Sequence, residues 1–302
     1  MAFGAMILLA VMLVVLHFYK EQSPSEQLAR QAKRIELVDQ MRAALASAAE
    51  AEKSAVMATT DRDSQAFAQQ ARASTAALER ERQELLGLLP TSPLQKEAEL
   101  LEQFSRAFND LQRIDKELLD LAVQNTNLKA YSLAFGPAAA ALKEMDAALL
   151  RIVTANGGNA SAKAGQIILL ADDARVRALR IQTLLPPHIA EESDQKMNEL
   201  EALMAKEDRE ARKDLEGLAP LLQAGGSPDI KAAASSYSRF TGFKAQILKL
   251  SRANTNVRSL AISLNQKRKV MLVSQEALTA LEQVIQQEPI AGVTYAIPVK
   301  PR

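Results

Sequence analysis

The sequence predicts an all-α protein: an N-terminal transmembrane helix followed by an elongated up-down four-helix bundle built from a duplicated helical hairpin. Three observations point there. Ala2 to Phe18 run without a charged side chain. Of the 302 residues 48% are apolar but only 4% aromatic, with no Trp, so the core must be built from Ala, Leu, Ile, Val and Met. Small and aliphatic residues suit closely packed helices better than a sheet rich in aromatic and β-branched side chains. Finally, the chain repeats itself: Asn125-Thr126-Asn127-Leu128-Lys129 matches Asn254-Thr255-Asn256-Val257-Arg258, an offset of 129.

The apolar stretch AFGAMILLAVMLVVLHF spans about 26 Å as a helix, the lower end of what a bilayer core requires. Tyr19 and Lys20 follow as interfacial anchors. A cleaved signal peptide would show a basic start and a small-x-small cleavage site. Neither is present, so residues 1–20 read as an uncleaved anchor. Lys20, Arg30, Lys33 and Arg34 all lie C-terminal to the span, and the positive-inside rule would place that side in the cytoplasm.

Composition excludes several functions. The net charge is +1 with signs interspersed, so no one-sided basic field awaits nucleic acid. With no Cys there are no disulfides, thiolate nucleophiles or Cys-bearing zinc sites. His17 and His188 are too far apart for a local metal motif. There is no GxSxG, Walker loop, GxGxxG before a strand, or HExxH. The expectation is a protein that is not an enzyme and carries no cofactor or metal.

After the anchor, turn signals divide the chain into helical segments of roughly 24–88, 93–155, 160–222 and 228–288. Ser23-Pro24, Ser92-Pro93 and Ser227-Pro228 each put a capping hydroxyl before a proline at the first helical position, and Glu26 and Gln95 stand at capping-box positions. Gly87 with Pro90, Asn156 to Asn159, Gly217 with Pro220, and Glu288-Pro289 are stops. The predicted organisation is an anchor at 1–20, a bundle at 22–289 with repeat units 24–156 and 160–288, and a flexible tail at 290–302. Thr59 to Asp63, Gly136-Pro137 and Pro186-Pro187 interrupt the helical period. As kinks they leave one long bundle; as full turns they make each repeat its own short four-helix bundle, the two stacked.

Apolar residues define a seam in each repeat. Leu111, Ile114, Leu118, Leu121, Asn125, Leu128, Ser132, Phe135, Ala139 and Leu142 step by threes and fours. Phe240, Phe243, Ile247, Leu250, Asn254, Val257, Ala261 and Leu264 do the same, and Arg268 continues the line. Leu149 matches Leu278 at the same offset. The earlier segments match at 130: Arg82 with Arg212, Leu85 with Leu215, and Gly87-Leu88-x-Pro90 with Gly217-Leu218-x-Pro220. Asn125 and Asn254 place a polar amide on an apolar seam. Such a residue fixes helix register, or it lines a polar pocket in which Lys129 and Arg258 grip an anionic ligand. Glu52-Lys53-Ser54 and Thr59-Thr60-Asp61 read as a solvated face or a kink, and Arg268 as a side chain that snorkels or pairs with an acid.

An apolar span followed by a long antiparallel four-helix module resembles the four-helix-bundle sensor domain of methyl-accepting chemotaxis receptors. The residues carrying the likeness are EKSAVMATTDRDSQAFAQQAR (52–72), NTNLKAYSLAFGPAAAALKEMDAAL (125–149), PPHIAEESDQKMNELEALM (186–204) and NTNVRSLAISLNQKRK (254–269). The resemblance implies a single-pass protein of the bacterial inner membrane with a periplasmic bundle. It implies a homodimer that senses a small molecule or a protein and signals by small helix displacements across the membrane. That topology opposes the charge bias after the anchor, and the reading sides with the family. IAGVTYAIPVKPR (290–302) contains no second span, and no HAMP linker or signalling hairpin follows. The expected output is therefore through a partner receptor. The alternative is a membrane-tethered helical rod acting as a structural adaptor.

Overall fold

The structure, a computed structural model, describes residues 23–89, 95–222 and 227–290. The described residues are helical nearly throughout: α1 Pro24–Met57, α2 Asp61–Gly87, α3 Gln95–Ala122, α4 Thr126–Leu133, α5 Ala139–Asn156, α6 Ala162–Ala190, α7 Asp194–Leu218, α8 Pro228–Ala253, α9 Thr255–Ile262 and α10 Arg268–Gln286. Two short π-turns, Ala134–Ala138 and Ser263–Lys267, join α4 to α5 and α9 to α10. Among the described residues no helix is long and apolar enough to cross a membrane. The expected anchor at 1–20 lies outside those residues, as do the Ser92-Pro93 cap and positions 291–302 of the tail. Ile290, placed in the tail by sequence, is buried.

Local chemistry explains the ends. Ser23 Oγ accepts the Glu26 N–H at 3.3 Å, and Ser227 Oγ accepts the Asp229 N–H at 3.3 Å. Ser161 and Ser193 cap α6 and α7 in the same way. Each hydroxyl satisfies one of the amide donors that a helix start leaves without an internal partner. Gln95 uses its side chain on Glu99 instead, 2.9 Å away. The chain breaks between α1 and α2 at 58–60, inside the polar run that the sequence marks. At Pro186-Pro187 there is no break; α6 runs on to Ala190 and the turn follows at 191–193.

The chain divides into two compact units, and they cut across the repeats. Unit 1 takes the described residues of 1–57, 63–117 and 262–302; unit 2 takes 58–62 and 118–261. Each unit therefore has four helical stretches, three from one repeat and one from the other. The division follows neither repeat 24–156 nor repeat 160–288. In unit 1 the core holds Leu37, Met41, Leu45, Leu78, Leu85, Phe104, Phe108, Leu111, Leu278, Leu281 and Ile285, with Phe104 and Phe108 stacked at 5.8 Å. In unit 2 it is richer in alanine, with Ala130, Ala134, Ala138, Ala171, Ala174 and Ala178 beside Met145, Leu149, Ile181, Tyr237, Phe240 and Ile247. Small side chains let helix backbones approach, while each fully buried large one contributes about 1.5–3 kcal/mol. Leu149 and Leu278 are both fully buried, as their shared offset implies.

The predicted seams slip after the asparagines. Beyond Asn125 the chain buries Thr126, Asn127, Ala130, Ala134, Ala138 and Ala141 along with the predicted Leu142, whereas Ser132 is exposed and Phe135 is 64% exposed. Beyond Asn254, Leu264 and Arg268 are exposed and Lys267 is buried. The cause is a change of phase. Each asparagine interrupts its helix, and each π-turn inserts about one extra residue, rotating the following face by roughly 100°. A constant helical period cannot follow either change.

Two phenylalanines of the predicted seams separate these descriptions. Phe240→Ala should cost about 3–5 kcal/mol, the range for a deleted core aromatic. Phe135→Ala should cost about 1 kcal/mol or less, since the ring keeps only its stack on Tyr131. Urea unfolding measures both.

Candidate functional site: the Asn-Thr-Asn joint

The site begins with a backbone conformation. Asn125 and Asn254 have φ of 50° and 51°, the only non-glycine positive φ values among the described residues. Asparagine enters this left-handed region more readily than other side-chain-bearing residues. There α3 stops and α4 restarts, and α8 stops and α9 restarts. The carbonyl of each asparagine already accepts a bond in the new helix, from Lys129 N and from Arg258 N, both at 3.0 Å. The first amide donors of α4 and α9 then need partners.

Each restarting helix supplies them to the other. Thr126 N–H donates to Thr255 Oγ1 at 3.2 Å, and Thr255 N–H donates to Thr126 Oγ1 at 3.1 Å. Asn127 N–H donates to Asn256 Oδ1 and Asn256 N–H to Asn127 Oδ1, both at 3.2 Å. The remaining amide groups extend the pattern: Asn127 Nδ2 to Asn254 Oδ1 at 2.7 Å, and Asn256 Nδ2 to Asn125 Oδ1 at 3.1 Å. The two triplets thus cap one another around a local pseudo-twofold axis, buried within unit 2.

The joint is also tied outward. Asn125 Nδ2 donates to Asp61 Oδ1 at 2.9 Å, and Lys129 Nζ lies 3.1 Å from Asp61 Oδ2. The Asn125 hydrogen bond, then that of Lys129, holds the Asp61 carboxyl below the usual carboxylate range. Asn127 Nδ2 donates to the Ile189 carbonyl at 2.7 Å and Asn254 Nδ2 to the Glu191 carbonyl at 2.8 Å. These are carbonyls that the end of α6 leaves without helical partners. Of the four candidate residues, Asn125 and Lys129 meet at Asp61, and Asn254 joins the same network through Asn127. Arg258 stays exposed on α9 and takes no part in the joint.

His188 lies beside the joint, fully buried in the last turn of α6. Its Nε2 is 2.9 Å from Glu201 Oε1, which also accepts from Arg252 Nε at 2.7 Å. Its Nδ1 is 2.8 Å from Ser251 Oγ, and the single proton of that hydroxyl is shared between Nδ1 and the His188 carbonyl, 2.9 Å away. Arg252 is the first cause holding Glu201 ionised, and an ionised carboxylate selects the tautomer with its proton on Nε2. Burial, the largest influence, lowers the imidazole pKa; the Glu201 hydrogen bond opposes it and Arg252 reinforces it.

The sequence singled out the asparagines but not Thr126, Thr255, Asn127, Asn256 or His188. The first four carried a signal: identical triplets at one offset in a duplicated chain are placed to meet across a pseudo-twofold. Nothing around His188 marked it.

The described residues are thus helical and form two four-stretch units, one of them built around the reciprocal polar joint. Residues 1–167, the whole of the first repeat included, match the family described as the four helix bundle sensory module for signal transduction. The chain belongs to this family of chemotaxis-receptor sensory modules. No curated protein matches it.

Two tests address the joint and its neighbour. Thr126→Val and Thr255→Val should each cost about 1–3 kcal/mol by orphaning a buried amide. Together they should be non-additive by about 0.5–3 kcal/mol, as a urea double-mutant cycle would read. For His188, the folded pKa is depressed, so the unfolded chain binds the proton more readily. Stability should therefore fall as pH drops through the ordinary histidine value of 6.5 towards the folded one. Melting temperature against pH should show this limb in the native chain and lose it in His188→Gln.

Proposed function

We propose that the chain is a chemoreceptor-like sensory module, tethered to the bacterial inner membrane by residues 1–20 with its bundle in the periplasm. It acts by binding, not by turnover, and passes its signal on as a homodimer or through a partner receptor. The observation that carries this reading is the reciprocal Asn-Thr-Asn joint in a chain of the sensory-module family. Short helices that restart at left-handed residues, followed by π-turns, are elements with alternative packings, and small helix displacements can be expressed through them. Lys129 and Arg258 each stand one turn beyond an asparagine, exposed, where an anionic ligand would act on Asn125, Asn254 and the joint they form.

The test is thermal denaturation of the full chain in detergent against organic acids, amino acids and nucleobases. A cognate class should stabilise by about 2.7 kcal/mol at a hundredfold excess over Kd. Lys129→Ala with Arg258→Ala should remove that shift and leave the ligand-free melting temperature nearly unchanged. A flat panel from a folded chain rejects the sensory reading. It would favour the adaptor, for which the exposed stripe Leu169, Val176 and Leu179 on α6 offers a protein-contact face.

A further inference from the structure

Unit 1 contains three charged side chains that the joint does not use. Glu52 on α1, Asp115 on α3 and Lys267 at the end of the second π-turn are 1%, 5% and 3% exposed. Lys267 Nζ lies 2.6 Å from Asp115 Oδ1 and 3.1 Å from Glu52 Oε2. Glu52 Oε1 has no hydrogen-bond donor. With all three ionised, the cluster carries one uncompensated negative charge in the core, and an ion pair in such surroundings seldom repays its lost hydration.

The duplication shows that the fold does not require this particular cluster. At the same offsets, Glu52 corresponds to Gln182, Asp115 to Lys244 and Lys267 to Ala138. Ala138 is fully buried, and Gln182 Nε2 donates to the Ala134 carbonyl of the first π-turn at 2.8 Å. One unit thus has an alanine and a neutral amide at two of the three positions, and at the third Lys244, paired with Asp208 at 3.2 Å. In the other, the π-turn turns Lys267 inward and leaves Arg268 exposed.

We propose that Glu52, Asp115 and Lys267 form a proton-binding site, in which Asp115 takes up one proton from solvent under conditions where exposed aspartates remain ionised. Uptake changes the cluster from a net charge of −1 to neutral, and leaves the Lys267 ammonium to Glu52. The charged groups facing Asp115 are Lys267 from the π-turn and Glu52 from α1. Burial, the largest influence, raises the Asp115 pKa; Lys267 opposes the rise and Glu52 adds to it. Because the folded state binds this proton more readily than the unfolded chain, the site strengthens the fold as pH falls towards the ordinary aspartate range. The ligand is the proton itself, and the site stands whether or not the module also binds a small molecule.

The test is a pH titration of the full chain in detergent, following aspartate side-chain carboxyl carbons by 13C NMR. Asp115 should give a raised aspartate signal that vanishes in Asp115→Asn; Asp214, whose carboxyl burial also pushes up, is told apart by Asp214→Asn. Glu52→Gln, which removes the neighbouring negative charge, should keep the signal and move it to lower pH, so the assignment survives if Asp115→Asn fails to fold. Aspartates that all titrate at or below the ordinary value would overturn the proposal. So would Asp115→Asn that removes no raised signal, or Glu52→Gln that leaves the Asp115 signal in place.

Discussion

Unit 2 depends on the fate of a few backbone amides at the starts of α4 and α9. A helix that stops at a left-handed residue and restarts exposes donors that no residue of its own turn can satisfy. Buried away from water, each would cost about 1–3 kcal/mol. The joint answers this by symmetry: threonine hydroxyls and asparagine carbonyls of one triplet accept from the other. Neither triplet is satisfied alone, so the breaks in α3–α4 and α8–α9 are conditions for one another. The asparagine positions tolerate the backbone, and the threonines close the donors.

The same accounting reaches α6. Its final carbonyls accept from Asn127, Asn254 and Ser251, so the end of one helix is fastened by the starts of two others. His188 sits among these bonds with both ring nitrogens engaged, which ties a proton equilibrium to the corner of α6 and α7. In a sensory module these are the bonds that a displacement of α4, α8 or α9 would have to exchange. A saturated network of this kind favours discrete arrangements over continuous drift, because partial displacement leaves buried groups unpaired.

Unit 1 is organised by apolar packing around Phe104 and Phe108, with charge admitted at two places. Arg34 is buried against Glu97 and Glu288, while Gln31 donates to the Ile285 carbonyl at 2.6 Å, so α1 holds the end of α10. Lys267 with Glu52 and Asp115 is the second. The duplication makes the contrast informative, since the equivalent positions of the other unit place an alanine and an amide at two of the three. The third position is Lys244, which pairs with Asp208 at 3.2 Å, so each copy handles its charge with different partners.

Helix identity, the Ser23-Pro24 and Ser227-Pro228 starts, the Thr59 to Asp63 break and the duplication were legible in the sequence, because each rests on contacts within a few residues or on self-similarity. The family followed from the same features. Tertiary structure decided what faces inward beyond Asn125 and Asn254, because a left-handed residue and a π-turn shift helical phase without changing composition. It decided that each unit recombines the two repeats, which no local signal encodes. It also decided the roles of the candidate residues: Asn125 and Asn254 are joined to threonines and carbonyls far away in the chain, Lys129 is held by Asp61, and Arg258 remains in solvent. Whether a buried polar group is satisfied depends on which partners the fold brings within about 3 Å, and that distance is written in three dimensions.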